Sequence, residues 1–176
     1  ANDIDFLSIP FEGPKRAFTG KLDGKGHTLR NLCLMGGGLL SEVKDSAEIT
    51  NIQLENPILL LSDEYMEMAA GILANSMQGG VDSAGVASYA LLSNIHVANP
   101  VIKAVGYKEI IGTIVGYVAL NTDVNTCSVT DADIIAPNAQ VGGVIGKSQT
   151  YSHIHACLFT GKAEGMVVGG ITSEVS

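Results

Sequence analysis

Three cysteines, four histidines and a few clustered acids are the residues in this chain whose types and spacing could do chemistry. Cys127 and Cys157 occupy the same place in two segments of like pattern, Val124-Asn125-Thr126-Cys127-Ser128-Val129 and Ile154-His155-Ala156-Cys157-Leu158-Phe159. Two small, soft side chains at one repeat position read as a stacked core pair, and a disulfide between them is strained across adjacent strands. Cys33 follows Leu32 and by alternation faces outward, without a basic neighbour pattern to make its thiol reactive. His153 and His155, two residues apart, share one strand face, and both His155 and His96 align with polar positions, so all three read as solvated. A metal pair needs further ligands, and neither a C-x-x-C nor an H-E-x-x-H pattern supplies them. Asp131 and Asp133 are spaced like paired carboxylates that cleave glycosidic bonds, but Asp131 also takes a turn position held elsewhere by Asn. Asp63, Glu64 and Glu67 form an acidic cluster that would bind Ca²⁺ weakly at most, since the D-x-[DN]-x-[DN]-G loop is missing. From these residues the expectation is a chain with no catalytic, cofactor or metal site.

The elements that must position these residues announce themselves as a repeat. Glycine, 21 residues in all, recurs beside aliphatic pairs. The copies are Gly37-Gly38-Leu39-Leu40-Ser41, Ala70-Gly71-Ile72-Leu73-Ala74, Gly112-Thr113-Ile114-Val115-Gly116, Gly142-Gly143-Val144-Ile145-Gly146 and Gly169-Gly170-Ile171-Thr172-Ser173. A second element follows four of them and centres on Ile52, Ile95, Cys127 and Cys157. From the second small residue to that centre the distances are 14, 24, 14 and 14 residues. The long gap holds Gly79, Gly80, Ser83, Gly85 and Ser88 and reads as a loop insertion. Asn56, Asn99, Asp131 and Gly161 close the second element with residue types that accept a left-handed backbone, and Pro57 and Pro100 punctuate two of these turns. A third apolar piece follows: Ile58-Leu59-Leu60, Val101-Ile102 and Ile134-Ile135, with Ala163-Glu164 breaking the pattern in the fourth copy.

A unit of about 30 residues cannot bury its own apolar face, and stacking the units solves this. The fold expected is therefore all-β, a right-handed parallel β-helix of about five short coils, with residues 1–31 as N-terminal cap and opening coil and 32–176 as one continuous repeat domain. A β-sandwich is the competing reading, but it gives no reason for strands to repeat in type at fixed spacing. The first coil, only six residues from Leu32 to Gly38, is expected to lack its third strand. Ser62 to Met68 is the one stretch with a short helix in prospect, and Asn75 to Tyr89 is expected to be loop. Asn31, Asn51 and Asn94 are expected to stack as one amide ladder.

Bulk properties narrow the partners. A net charge of −8 argues against phosphate-rich nucleic acid and anionic membrane surfaces, and no run of 18 apolar residues exists to span a bilayer.

The stretch Phe18-Thr19-Gly20-Lys21-Leu22-Asp23-Gly24-Lys25-Gly26-His27-Thr28-Leu29, leading into Asn31-Leu32, resembles the opening of bacterial GLUG-repeat surface proteins. Val141 to Gly146 resembles the unit that names those repeats, which also occur in non-catalytic regions of immunoglobulin-A-cleaving metallopeptidases. The resemblance runs from residue 18 to the end, with Ala70 and Thr113 departing from the glycine pattern. It implies an extracellular or cell-surface bacterial module, adhesin-like, alongside further repeats or domains of the same polypeptide. The function expected is non-catalytic: adhesion, binding of an extracellular glycan or host matrix protein, or a spacer. The alternative is a polysaccharide lyase or hydrolase on the same scaffold, drawing on Asp131, Asp133, Lys103 and Lys108.

Overall fold

The β-branched runs cut by Gly, Asn and Pro favour short strands over helices, and strands are what form. A computed structural model describes residues 2–13, 16–65, 67–81, 83–107 and 109–175. Among these residues every regular element is a strand and there is no helix. The strands make a fifteen-stranded sheet, a six-stranded sheet and a two-stranded hairpin, and every strand pair outside the hairpin is parallel.

The pairing joins successive copies of the repeat. Strand Ala90–Ala98 pairs with Glu48–Glu55 over seven residues, with Ile95 opposite Ile52 and Val97 opposite Leu54. Ser93 pairs with Asn125 and His96 with Ser128, which places Cys127 against Ile95, and the same register carries Cys157 onto Cys127. Ile52, Ile95, Cys127 and Cys157 thus form one column. Parallel columns are Ile49, Leu92, Val124 and Ile154, then Leu34, Leu59, Ile102, Ile134 and Ala163. Their central members are buried, and the members in the last copy, Ile154, Cys157, Phe159 and Ala163, are only partly so. On the six-stranded sheet, Leu40, Ala74, Val115, Ile145 and Thr172 stand in register.

That last register corrects the alignment of the second copy. Ala74, not Leu73, pairs with Leu40 and Val115, and Ala70 pairs with Ile111, so Gly71 takes the first glycine position and Ile72 the second. The reason is steric. At Gly71, Gly112, Gly142 and Gly169 alike, a Cβ would run into the carbonyl oxygen three residues on, of Ala74, Val115, Ile145 and Thr172 respectively. The chain folds back over its own glycine there, and Ala70 cannot serve. Measured from Ile72, the second copy reaches Ile95 in 23 residues.

Other expectations are corrected too. The first coil has a third strand, Cys33–Met35, which pairs with Ile58–Leu61. The fourth copy continues as well, because Ala163 pairs with Ile134 within the strand Leu158–Gly169. Residues 63 and 64 form a turn and residue 68 a bend, and none of residues 62–65, 67 and 68 is helical. Asn75 belongs to the strand Ala74–Gln78, and the insertion proper is the antiparallel hairpin Gly80–Val81 with Ala87–Ser88. The N-terminal residues sit on the first coil, with Ile4 opposite Leu29, Pro10 opposite Cys33, Phe18 opposite Val43 and Leu22 opposite Ile49.

The asparagines form two ladders, not one. Asn94 Nδ2 donates to Asn51 Oδ1 at 2.8 Å, and Asn51 Nδ2 to Asp23 Oδ1 at 2.9 Å. Asn31 belongs to the other, where Asn99 donates to Asn56 at 3.1 Å, Asn56 to Asn31 at 3.4 Å and Asn31 to Asp5 at 2.9 Å. All five asparagines have φ between 52° and 57°. Each ladder ends on a carboxylate, and the amide bonds hold Asp5 and Asp23 below the usual carboxylate range, helped by the backbone N–H groups of Leu7 and Lys25. Where the first ladder stops, Thr126 and Ala156 keep the same left-handed geometry, at φ 53° each, without an amide to compensate. Thr126→Asn should extend the ladder onto Asn94 and raise stability by about 1 kcal/mol. Urea unfolding reads this as a higher midpoint at unchanged slope; a lower midpoint would show that the ladder adds nothing at that rung.

Candidate functional site

The segment between the strands Ile58–Leu61 and Ala69–Ala70 is longer than its counterpart between Val101–Ala104 and Ile110–Gly112. Two side chains anchor it. Tyr107, itself buried, donates from its phenol to the carbonyl of Glu67 at 2.8 Å. Its ring lies 5.6 Å from that of Tyr65. Gly106, at φ 85°, lets the chain pass Asp63, whose Cβ is 3.1 Å from where a side chain would start.

Beside this segment lies a cavity of about 650 Å³, walled by Glu12, Gly36–Gly38, Glu64, Tyr65, Glu67 and Asn75. Gly37, at φ 127°, is required at this spot, because a Cβ would lie 2.7 Å from the Tyr65 hydroxyl and 3.0 Å from Asn75 Nδ2. Asn75 is buried and accepts the Gly38 N–H at 2.7 Å, which fixes its amide in the wall. The Tyr65 hydroxyl is buried and has no hydrogen-bond partner among the described residues. Burial first, and the negative charge of Glu67 second, push its phenol up, so it stays protonated. A second cavity of about 410 Å³ continues from the first, sharing Glu67 and Asn75, and runs across the strands past Ser76, Tyr117, Lys147 and Gln149. There Lys147 lies 3.1 Å from Glu174 and Glu42 lies 2.9 Å from Lys44. Among the described residues no ion-pair partner stands by Glu12, Glu64 or Glu67. The arrangement offers hydrogen-bond acceptors, an amide and aromatic walls around a cleft of ligand size.

The structure disperses most of the residues singled out by sequence. Glu64 and Glu67 are among the residues that line the cavity, while Asp63 lies beside Gly106. Asp131 lies within the strand Ser128–Gly142 at a register shift, with φ 54° and its N–H 3.2 Å from Thr160 Oγ1, and Asp133 is exposed on the same strand; neither lines these two cavities. Lys103 is exposed on the strand Val101–Ala104, and Lys108 lies outside the described residues. His153 and His155 face outward, with His155 3.3 Å from Asp123 Oδ1. His96 is not simply solvated: its ring nitrogens lie 2.7 Å from Ser128 Oγ and 2.8 Å from Asn94 Oδ1, so it braces the asparagine ladder. Among the described residues no three His, Cys, Asp or Glu side chains gather as a metal ion would need.

Of the cysteines, Cys33 is buried, contrary to simple alternation, because it is flanked in register by Pro10 on one side and Ile58 on the other. Cys127 is buried and Cys157 half-buried, and all three are free. Hydrogen bonding to Cys157, then burial, pushes the Cys127 thiol up, while the bond from Cys127 lowers the Cys157 thiol to about 7 against the opposing effect of its own burial. Alkylation by iodoacetamide should therefore strike Cys157 first, its rate climbing as pH rises through about 7. Peptide mass mapping after short pulses checks this, and modification of Cys33 ahead of Cys157 would contradict the burial order.

Tyr65 and Asn75 lie within the segments Ser62 to Met68 and Asn75 to Tyr89 that the sequence offered as loop candidates, without being singled out, and sequence reasoning missed Tyr107 and Glu12. One signal was available: the strands bordering the two tyrosine corners are offset by 43 residues, Ile58 to Val101, and the tyrosines by 42. Compared with protein-family models, with curated proteins and with solved structures, the chain matches none.

Proposed function

We propose that this chain is a segment of right-handed parallel β-helix, of the kind its opening motif resembles in GLUG-repeat surface proteins, and that it serves outside the cell as a non-catalytic binding module. The observation that carries the reading is a cleft built by a lengthened corner on an otherwise regular stack, with Tyr107 pinning that corner. The right-handed sense follows from the general preference of parallel crossovers. A glycan or matrix protein is the partner class, and the rigid strands act as the spacer that presents the cleft.

Catalysis by the cleft's carboxylates is the second reading, since Glu12, Glu64 and Glu67 line one cavity. A glycosidase acid, however, works from an apolar, water-poor surrounding, and these three side chains are exposed. Glycan and matrix-protein arrays probed with the labelled chain test the proposal, together with incubation of uronate polymers and neutral polysaccharides. Binding without product supports it. New reducing ends or unsaturated products replace it with an enzyme, and no binding to either array overturns it.

A further inference from the structure

The two ends of the stack differ. At the first, N-terminal residues lie over the opening coil, where the rings of Phe6 and Phe11 stack at 5.6 Å and pack on the core. At the last, the strands Ser152–His155, Leu158–Gly169 and Thr172–Val175 each pair on one side only among the described residues. Of this rung only Ser176 lies outside the described residues. A strand with one free side carries a row of N–H and C=O groups that no ladder satisfies. The inward columns also open here. Val141 is fully buried, whereas Val168, in register with it one rung on, is 48% exposed. Phe159 and Ala163 are likewise only part-buried, where Val129 and Ile134 beside them are closed off.

The edge strand itself indicates what fits this end. About Ala163 its sequence is symmetric in type: Lys162 and Glu164, then Gly161 and Gly165, then Leu158-Phe159 on one side and Val167-Val168 on the other. Gly161, Ala163 and Gly165 lie in register with the buried Ala132, Ile134 and Ala136, so Lys162 and Glu164 alternate to the outer face, where both are exposed. Turning a second copy over, so that its last rung faces that of the first, reverses the strand direction and keeps the inward faces together. Antiparallel pairing about Ala163 then sets Lys162 of each copy opposite Glu164 of the other. Neither side chain has an ion pair within its own chain among the described residues, although Asp133 stands in register with Lys162. Charges on a free edge commonly keep a second copy away. Charges of one sign do that; a base and an acid placed evenly about the centre do the opposite once the strand is turned end for end. The contact also closes on itself as a two-fold pair, whereas stacking a last rung on a first would continue without limit.

We propose that two copies of this chain join tail to tail through the edge strand Leu158–Gly169, paired antiparallel about Ala163 and held by two Lys162–Glu164 ion pairs, with the part-open column ends of each covered by the other. This surface is separate from the cleft, and the pairing does not depend on what the cleft binds. Sedimentation equilibrium of the whole chain, with a thiol reductant to keep Cys157 from cross-linking, should give twice the mass of one chain with a Kd of about 10 µM or below. Lys162→Glu and Glu164→Lys each set like charges opposite one another at both pairs and should weaken the dimer by about tenfold or more. Both positions are exposed and outside the buried columns, so the thermal midpoints should hold. Mixed in equal amounts, the two variants bring two acids against two bases, and dimer should return to within about threefold of the original affinity. Lys162→Glu with Glu164→Lys in one chain should dimerise as the original does, which a folding defect at either position would not produce. A chain that stays monomeric at about 100 µM overturns the proposal and leaves the edge to a further coil or another polypeptide. Single variants that dimerise undiminished, exchange without rescue, or polymers that lengthen with concentration overturn it equally.

Discussion

Gly142→Ala should cost about 3 kcal/mol or more and leave much of the chain unfolded near its growth temperature. A methyl at position 142 would overlap the Ile145 carbonyl oxygen and sit 2.7 Å from its carbonyl carbon and 3.0 Å from Thr172 Cα. All of these are backbone atoms, and two rungs fix them, so neither neighbour can rotate away as a flexible side chain would. Gly170 is the matched control: a Cβ there meets nothing within 4 Å, and its φ does not lie in the left-handed region. Gly170→Ala should change stability by less than about 0.5 kcal/mol. Circular-dichroism melts of the two proteins separate them. Near-equal midpoints would mean that the fold-back over the glycine is not as tight as described.

The second large effect is expected from Ile95→Asp. Ile95 is completely buried, with Ile52 in register on one side and Cys127 on the other. A carboxylate there has no cation to meet and loses its water, a cost of several kcal/mol beyond the apolar burial given up. Aggregation on expression or a strongly lowered urea midpoint is the expected result. Asp133→Asn, on an exposed strand position, should be silent within about 0.5 kcal/mol. A soluble Ile95→Asp protein with an unchanged midpoint would remove the inside–outside assignment of the whole column.

The columns were legible because parallel stacking leaves a direct trace: like residues recur at like spacing, and Ile52, Ile95, Cys127 and Cys157 do stand in one line. Where reading by residue type failed, the cause was local geometry that type alone does not carry. Ala70-Gly71 looks like a small-small pair, yet only the residue beneath the returning carbonyl has to be glycine, and that residue is Gly71. Asn31 precedes an apolar residue just as Asn51 does, so both look like members of one ladder; hydrogen bonding assigns Asn31 to Asn56. The cleft was the least legible part. Tyr65, Tyr107 and Asn75 come from three separate corners and strands, and beyond the near-repeat spacing of the two tyrosines nothing in the sequence marks that they meet. Glu64 and Glu67 were visible as a charge cluster, but that they line a cavity depends on the corner that Tyr107 holds through the Glu67 carbonyl.

Residues 62–65, 67 and 68 and the hairpin of Gly80–Val81 with Ala87–Ser88 contribute no member to the buried columns. On the proposed binding reading, recognition would rest mainly on amino acids other than those of the stack, Tyr65 and Tyr107 excepted because both pack on the core. A lineage could rewrite the corner around Glu64, lengthening it or exchanging its acids for bases, and change what is held without disturbing the stack that holds it. The same separation makes the segment around Glu64 the natural place to graft a new specificity, since the interior would not register the change.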